Sequence, residues 1–139
     1  MTVSVMPILR LLSGGRLVCV WVSGGDREPL DINRPLLSLS EDMGRTWSEA
    51  REFPTVPGRM TFCCEIEEDN GVATAHLFSG RAADHYKVVT NHRTESRDGG
   101  RTWSPLRDYH VVPDGAVLSQ RVRLRDGTML YPFFTLHQK

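Results

Sequence analysis

The sequence predicts an all-β chain made of repeated units, on three observations. A nine-residue motif occurs twice, at residues 40–48 and 96–104, with seven identical positions and a spacing of 56 residues. Glycine-opened apolar runs at Gly15, Gly71 and Gly127 keep that same spacing. No stretch of useful length shows the 3.6-residue apolar period of an amphipathic helix. Two unrelated markers on one period are the mark of a repeat architecture.

Within one period the predicted strands follow in order. Residues 5–11 are apolar and stop at Ser13-Gly14-Gly15; residues 16–22 are apolar and stop at Ser23-Gly24-Gly25. A third run at 34–40 leads into Asp42-Met43-Gly44, and a weak fourth at 49–53 is closed by Pro54 and Pro57. The second period repeats this at about 60–67, 72–78, 87–95 and 105–112, and the third starts again at 117–124 and 128–134. Val, Leu, Ile and aromatic residues fill the runs, and Gly, Pro, Asn and Asp punctuate them. Four-stranded units at this period are blades of a β-propeller. The units run over about 4–59 and 60–115, with an incomplete third at 116–139, so the chain reads as about two and a half blades.

The nine-residue motif has a physical logic. Its frame is Ser40, Asp42, Gly44, Thr46 and Trp47, repeated as Ser96, Asp98, Gly100, Thr102 and Trp103. An Asp carboxylate accepts hydrogen bonds from backbone N–H groups a few residues on and closes a turn. The Gly supplies a positive φ, and the Ser and Thr hydroxyls satisfy more of the loop. The Trp is expected to pack under its blade, worth at most roughly 4–6 kcal/mol gross for an indole removed from water. Asp42 and Asp98 are therefore read as residues that maintain the fold.

Composition excludes several functions. Seventeen Lys and Arg balance 17 Asp and Glu, so the chain exerts no general pull on nucleic acid or an anionic membrane. No apolar run approaches the roughly 18 residues of a membrane span. Cys19, Cys63 and Cys64 show no metal spacing and are expected as reduced, buried thiols. His76, His92, His110 and His137 show none either, so neither a metal nor a cofactor is expected. The first ten residues lack a basic region followed by an apolar stretch, so no signal peptide is expected and the chain as written reads as cytoplasmic. Two and a half blades leave open strand edges, from which marginal stability and self-association are expected.

Residues 40–47 and 96–103 match the Asp box, the bacterial neuraminidase repeat, at every Ser, Asp, Gly, Thr and Trp position. On these motifs essentially the whole chain resembles the sialidase (neuraminidase) superfamily. The resemblance implies a six-bladed β-propeller and an exo-α-sialidase-type glycoside hydrolase, which removes terminal sialic acid from glycoconjugates. It implies a glycan partner, and relatives of full length are often secreted. Asp boxes also occur in binding propellers and in hydrolases of other polysaccharides, which stand as alternatives.

Strand topology sorts the loops into two faces. The Asp boxes share a face with the glycine turns at 15, 71 and 127, and the other face carries residues 23–33, 52–59, 80–86 and 111–117. In the family the Asp boxes lie opposite the active site, which implies a site on this second face. Its candidate substrate-binding residues are Arg27, Arg59, Asp84, His85 and Tyr86 in loops and Arg34 and Arg121 in flanking strands. Planar Arg forks bind a carboxylate bidentately, as a sialic acid would require. The resemblance places an acid/base Asp in the loop between strands two and three, where Asp26 and Asp31 are both candidates. The family pairs a Tyr nucleophile with a Glu in later blades. Val5 stands where the family's first carboxylate-binding Arg is found, two residues before Pro7. Leu9, Glu65 and Arg121 are repeat equivalents that pass from apolar to acidic to basic, so the fold does not require one type there.

Overall fold

The computed structural model describes residues 2, 4–110, 113 and 115–135. The first period folds as one antiparallel meander in the order β1 (Ser4–Leu11), β2 (Leu17–Ser23), β3 (Arg34–Ser40) and β4 (Arg51–Glu52). The second repeats it with β5 (Met60–Asp69), β6 (Val72–Gly80), β7 (Val89–Ser96) and β8 (Arg107–Asp108). The fold is thus all-β, a partial propeller of two blades and the start of a third.

The outer strands are shorter than the sequence predicts. Runs expected at 49–53 and 105–112 contribute two paired residues each, because the chain leaves the ladder at Phe53 and Tyr109. Each leaves on one last bond, Phe53 N–H to the Pro35 carbonyl at 3.0 Å and Tyr109 N–H to the Asn91 carbonyl at 2.9 Å. Residues 111 and 112 lie outside the described residues.

The third period departs further. In place of two unbroken strands it has β9 (Ala116–Leu118) paired with β12 (Phe133–Thr135), and β10 (Val122–Arg123) paired with β11 (Met129–Leu130). The break falls where the earlier inner strands are also irregular: β1 shifts register between Val5 and Ile8, and β5 between Cys63 and Glu65. Opposite the break stands Pro132, which has no N–H to give the ladder. Its carbonyl still accepts from Ser119 N–H at 2.9 Å, so the hairpin holds together across the gap. The tail at 136–139, which includes His137, lies outside the described residues.

Side-chain alternation builds the core. In β2 the residues Val18, Val20 and Val22 point inward while Leu17, Cys19 and Trp21 remain half-exposed, the pattern of a strand covered on one side. In β6 all residues from Ala75 to Gly80 are buried, because the second blade is covered on both sides. One side packs Cys63, Ile66 and Leu77 against Val18, Val20, Leu37 and Phe53 of the first blade. The other packs Met60, Phe62, Phe78 and Val89 against Val117 of the third.

The two motif turns have the same internal bonds. In the first, Thr46 donates its N–H to Asp42 Oδ1 at 2.8 Å and its hydroxyl to Oδ2 at 2.6 Å, and Ser40 Oγ donates to Oδ1 at 2.8 Å. These donors hold the Asp42 carboxyl down at about 2, Thr46 contributing most. Ser40 Oγ in turn accepts from Gly44 N–H at 2.8 Å, and Gly44 has φ +86°. Asp98 repeats the set with Thr102 at 2.9 and 2.6 Å and Ser96 at 2.8 Å.

What the turns touch differs between them. Trp103 meets Phe53 of the first blade edge to face, centroids 4.9 Å apart, whereas Trp47 is 42% exposed. The expectation that both indoles are buried is therefore corrected. A motif Trp packs on the preceding blade, and the described residues hold no blade before β1. Arg16 carries the same asymmetry. Its guanidinium donates from Nη1 to the Asp98 and Gly99 carbonyls at 3.0 and 2.7 Å, and from Nε to Glu41 at 2.9 Å. A Cβ at Gly99 would stand 2.2 Å from Arg16 Nη1. The equivalent place in the first turn is held by Met43, 64% exposed and at φ +60°.

His76 is buried between the second and third blades, its ring 5.1 Å from Tyr109, and neither ring nitrogen has a hydrogen-bond partner among the described residues. Burial lowers its pKa to about 4, against the upward pull of Glu65. In the unfolded chain it titrates near 6.5. Between these values only the unfolded chain takes up the proton, so stability falls as pH drops through the window, in all by on the order of 3 kcal/mol. Urea unfolding at pH 7.5 and 4.5 is expected to show this loss, and His76→Gln to reduce the difference. Urea unfolding also separates the indoles: Trp103→Ala is expected to cost about 3 kcal/mol and Trp47→Ala within about 1 kcal/mol.

Candidate functional site

The contacts of Arg16 put the glycine turn after β1 on the same end as both motif turns. The opposite end is built from the loop at 24–33, the β4–β5 link and the loop after β6. Asn33, 2% exposed, organises the first of these. Its Oδ1 accepts from Leu30 N–H at 2.6 Å and its Nδ2 donates to the Gly24 and Arg27 carbonyls at 2.5 and 3.2 Å. Gly24 is required in this loop, because a Cβ there would lie 2.3 Å from the Ile32 carbonyl oxygen. Asn33 was not singled out in the sequence, since its second-period equivalent is Val89 and the repeat carries no trace of it.

Asp31 joins the two loops. Its Oδ1 accepts from the N–H of Ala82 at 2.7 Å, the first residue of a short 3-10 turn at Ala82–Asp84. Thr61 N–H adds a second tie to the Asn33 carbonyl at 2.9 Å. Beyond the 3-10 turn, His85 and Tyr86 are both left-handed, at φ +45° and +65°. Two successive non-glycine residues in that region cost about 1–3 kcal/mol each. The outcome is that the chain doubles back and turns the Tyr86 ring inward. There it meets Phe62 and Phe78 edge-on, at 6.0 and 6.3 Å between centroids.

Tyr86 thereby becomes one wall of a pocket of about 300 Å³, lined also by Met6, Glu28, Phe62, Cys64, Phe78, Val117, Leu118, Ser119 and Phe134. All three periods contribute, through β1, β5, β6, β9 and β12 and the loops after β2 and β6. Burial raises the Tyr86 hydroxyl to about 12, with Glu28's charge a further cause, and burial likewise raises Cys64 to about 12. Both are neutral at pH 7.

The other predicted residues are distributed around this mouth. Asp26 and Arg27 are exposed in the loop beside Glu28, and Asp84 and His85 precede Tyr86, but none of the four lines the pocket. Arg34 is exposed and paired with Glu52 at 3.0 Å. Arg59 lies in the β4–β5 link close enough to His92 for its charge to lower that residue's pKa, after burial, the main cause. Arg121 is buried against Glu67 and stacks on Tyr131, its guanidinium carbon 5.3 Å from the ring centroid. Arg10 makes the equivalent tie to Glu65, at 3.0 Å from Nε and 2.6 Å from Nη2. The acidic and basic types at Glu65 and Arg121 thus follow from ion pairs between neighbouring blades.

Sequence reasoning passed over two arrangements. Glu28 stood in the right loop, but attention fell on its Asp neighbours. Ser79, His92 and Asp108 form a chain, Ser79 Oγ to His92 Nε2 at 2.7 Å and His92 Nδ1 to Asp108 at 3.0 Å. Their order matches a hydrolase triad. Ser79 has no exposed surface, however, so its hydroxyl meets no substrate and the chain ties β6, β7 and β8 together. A larger hollow of about 490 Å³, lined by Arg93, Glu95, Arg97, Trp103 and Arg107, lies on the outer strands.

Among solved structures the chain is similar to the Hadza microbial sialidase Hz136. The TM-score is 0.73 at 19% sequence identity, over 92% of this chain and 31% of that one. The fold is sialidase-like. The chain spans about a third of the length of the structure it matches, 31%. No family model and no curated protein matches it. No helix among the described residues is long and apolar enough to cross a membrane. In the sialidase-like fold, Asp31 is expected to act first as the tie between its two mouth loops. Asp31→Ala is expected to speed amide exchange at Ala82 by roughly ten-fold or more, read by NMR, while Asp26→Ala leaves that amide unchanged.

Proposed function

We propose that this chain is part of a sialidase-like glycoside hydrolase, of the exo-α-sialidase type, that takes its glycan at the three-blade mouth. The reading is supported by one observation: in a sialidase-like fold, a pocket and its acidic loops lie at the end opposite the two repeated motif turns. Asp26 is the better candidate for the acid/base, since it is exposed beside the pocket, whereas Asp31 is engaged with Ala82 N–H. Arg27, Arg34, Arg59, Asp84, His85 and Tyr86 are the proposed contacts to the glycan around it. Arg121 supports the wall through Glu67.

A second reading, hydrolysis or binding of a glycan without a carboxylate, is favoured by a specific feature. No Arg or Lys lines the pocket among the described residues, and Val5 stands where the family carries an Arg. Assay of the full-length gene product against fluorogenic sialosides and neutral glycosides separates these. Sialoside turnover that falls about 100-fold in kcat with Asp26→Asn supports the first reading. Turnover of neutral glycosides alone replaces it with the second, and no turnover with retained glycan binding makes the propeller a binding module.

A further inference from the structure

The mouth pocket and the charged loop beside it differ in kind. The pocket floor is the stacked pair Phe62 and Phe78, centroids 5.1 Å apart and planes within 4°, with Tyr86 set edge-on to both. Met6 and Phe134 stand at the rim, 46% and 47% exposed. The polar groups that line it are few: the exposed Glu28 carboxylate, the Ser119 and Tyr86 hydroxyls and the Cys64 thiol. No Arg or Lys lines it among the described residues. The unpaired charges lie outside it. Asp26 and Arg27 are exposed in the loop just before Glu28, and Arg59 stands in the β4–β5 link; none has an ion pair among the described residues.

These two surfaces suit different parts of one glycan. A ring that carries a carboxylate calls for planar cations such as Arg27 and Arg59, and inside the pocket it would meet Glu28 instead. A neutral hexose has an apolar C–H face and a rim of hydroxyls. The face can leave water against Met6, Phe134 and the Tyr86 ring, and a hydroxyl can donate to the Glu28 carboxylate in a charge-assisted bond. The volume, about 300 Å³, lies at the small end of ligand sites, roughly 300–1,000 Å³, which suits one ring and not a chain of them. Chain order adds a direction. Asp26 is two residues from Glu28, at most about 7 Å along the backbone. A general acid gives its proton to the leaving-group oxygen, which keeps the electron pair of the glycosidic bond as that bond breaks. With Asp26 as that acid, the ring on the leaving oxygen lies where its loop meets the pocket.

We propose that this pocket is the leaving-group subsite: it binds the neutral hexose next to the acidic sugar. The hexose sets its C–H face on Met6, Phe134 and Tyr86 and a hydroxyl on Glu28, while the acidic sugar stays on the Arg27 and Arg59 side of the mouth. The assignment deepens the hydrolase reading and rests on it, but hexose binding is measured without turnover, so the two fail separately. Sialoside turnover with no hexose binding would remove this inference and keep the hydrolase. Hexose binding with no turnover of any sialoside would keep the hexose site and remove the hydrolase.

The test begins with titration of the full-length gene product by methyl β-D-galactopyranoside, followed by ligand-observed NMR. The ring C–H protons are expected to report contact with the protein, and Phe134→Ala and Glu28→Gln each to weaken binding roughly five-fold or more. With N-acetylneuraminic acid added in excess, the signals of both bound ligands are expected together, because the two rings occupy different parts of the mouth. Kinetics supplies a second readout: the ratio of kcat/KM for sialyl-lactose to that for methyl α-sialoside, which lacks the hexose. Phe134→Ala is expected to lower this ratio roughly ten-fold, mostly through KM. The ratio is internal to each variant, so a general loss of folded enzyme does not move it. Absence of galactoside binding, displacement of the galactoside by the acid, or a ratio unchanged in both Phe134→Ala and Glu28→Gln would overturn the proposal.

Discussion

The guanidinium of Arg16 is the contact on which the arrangement of the blades depends. It leaves the glycine turn of the first blade and reaches backbone carbonyls in the motif turn of the second, with Glu41 of its own blade as counter-charge. Arg16 is only 9% exposed, so each of these bonds replaces a hydration that burial removed. The turn it grips must present its carbonyls in one orientation. That orientation is fixed by the Asp98 carboxylate, which holds Thr102 and Ser96, and by Gly99, which leaves room for the guanidinium. The motif is therefore half of an inter-blade contact as well as a local turn. The same end carries Trp103 on Phe53, so polar clamp and aromatic contact seat one blade on the next together.

Fixing one end of a blade pair fixes the other. With the motif turns locked, the inner strands converge at the opposite end at spacings set by the sheets, and the loops there have only to be joined sideways. Asn33 shapes the first loop from within, Asp31 attaches it to the second, and the left-handed pair His85 and Tyr86 turns an aromatic ring over the gap. Scaffold and mouth thus divide the labour: repeated residues set the distance between blades, and unrepeated residues shape what lies between them.

That division accounts for what could be read in the sequence. The 56-residue period, the strand order and the opposition of the two faces were legible because they rest on residues that recur, such as the Asp42 and Asp98 turns. Trp47 misled because identical residues implied identical surroundings, and its surroundings lack the partner that Phe53 gives Trp103. The broken third hairpin was hidden for a related reason. Its apolar run is continuous, and only the register irregularity shared with β1 and β5, opposite a proline, interrupts it. Glu28 and Asn33 gave no period to detect, and Phe62 and Phe78 read as ordinary strand residues until the sheet pairing set them side by side.

The charged residues show the same logic at the level of electrostatics. Counting arginines on the loops and strands of the mouth suggests a surface prepared for an anion. Pairing them gives a different result. Arg10 and Arg121 meet acidic residues of the adjoining blade, and Arg34 meets Glu52 on the neighbouring strand of its own sheet. Glu65 is 5% exposed, and a carboxylate at that depth requires its partner, so Arg10 is committed to the wall. Glu28, exposed at the edge of the pocket, has no such partner among the described residues, and neither do its loop neighbours Asp26 and Arg27. The charges free of such pairs among the described residues are then those of the loops, Asp26, Arg27 and Glu28 side by side and Arg59 in the β4–β5 link, so the unrepeated loops rather than the strands carry the charge that a ligand at the mouth would meet.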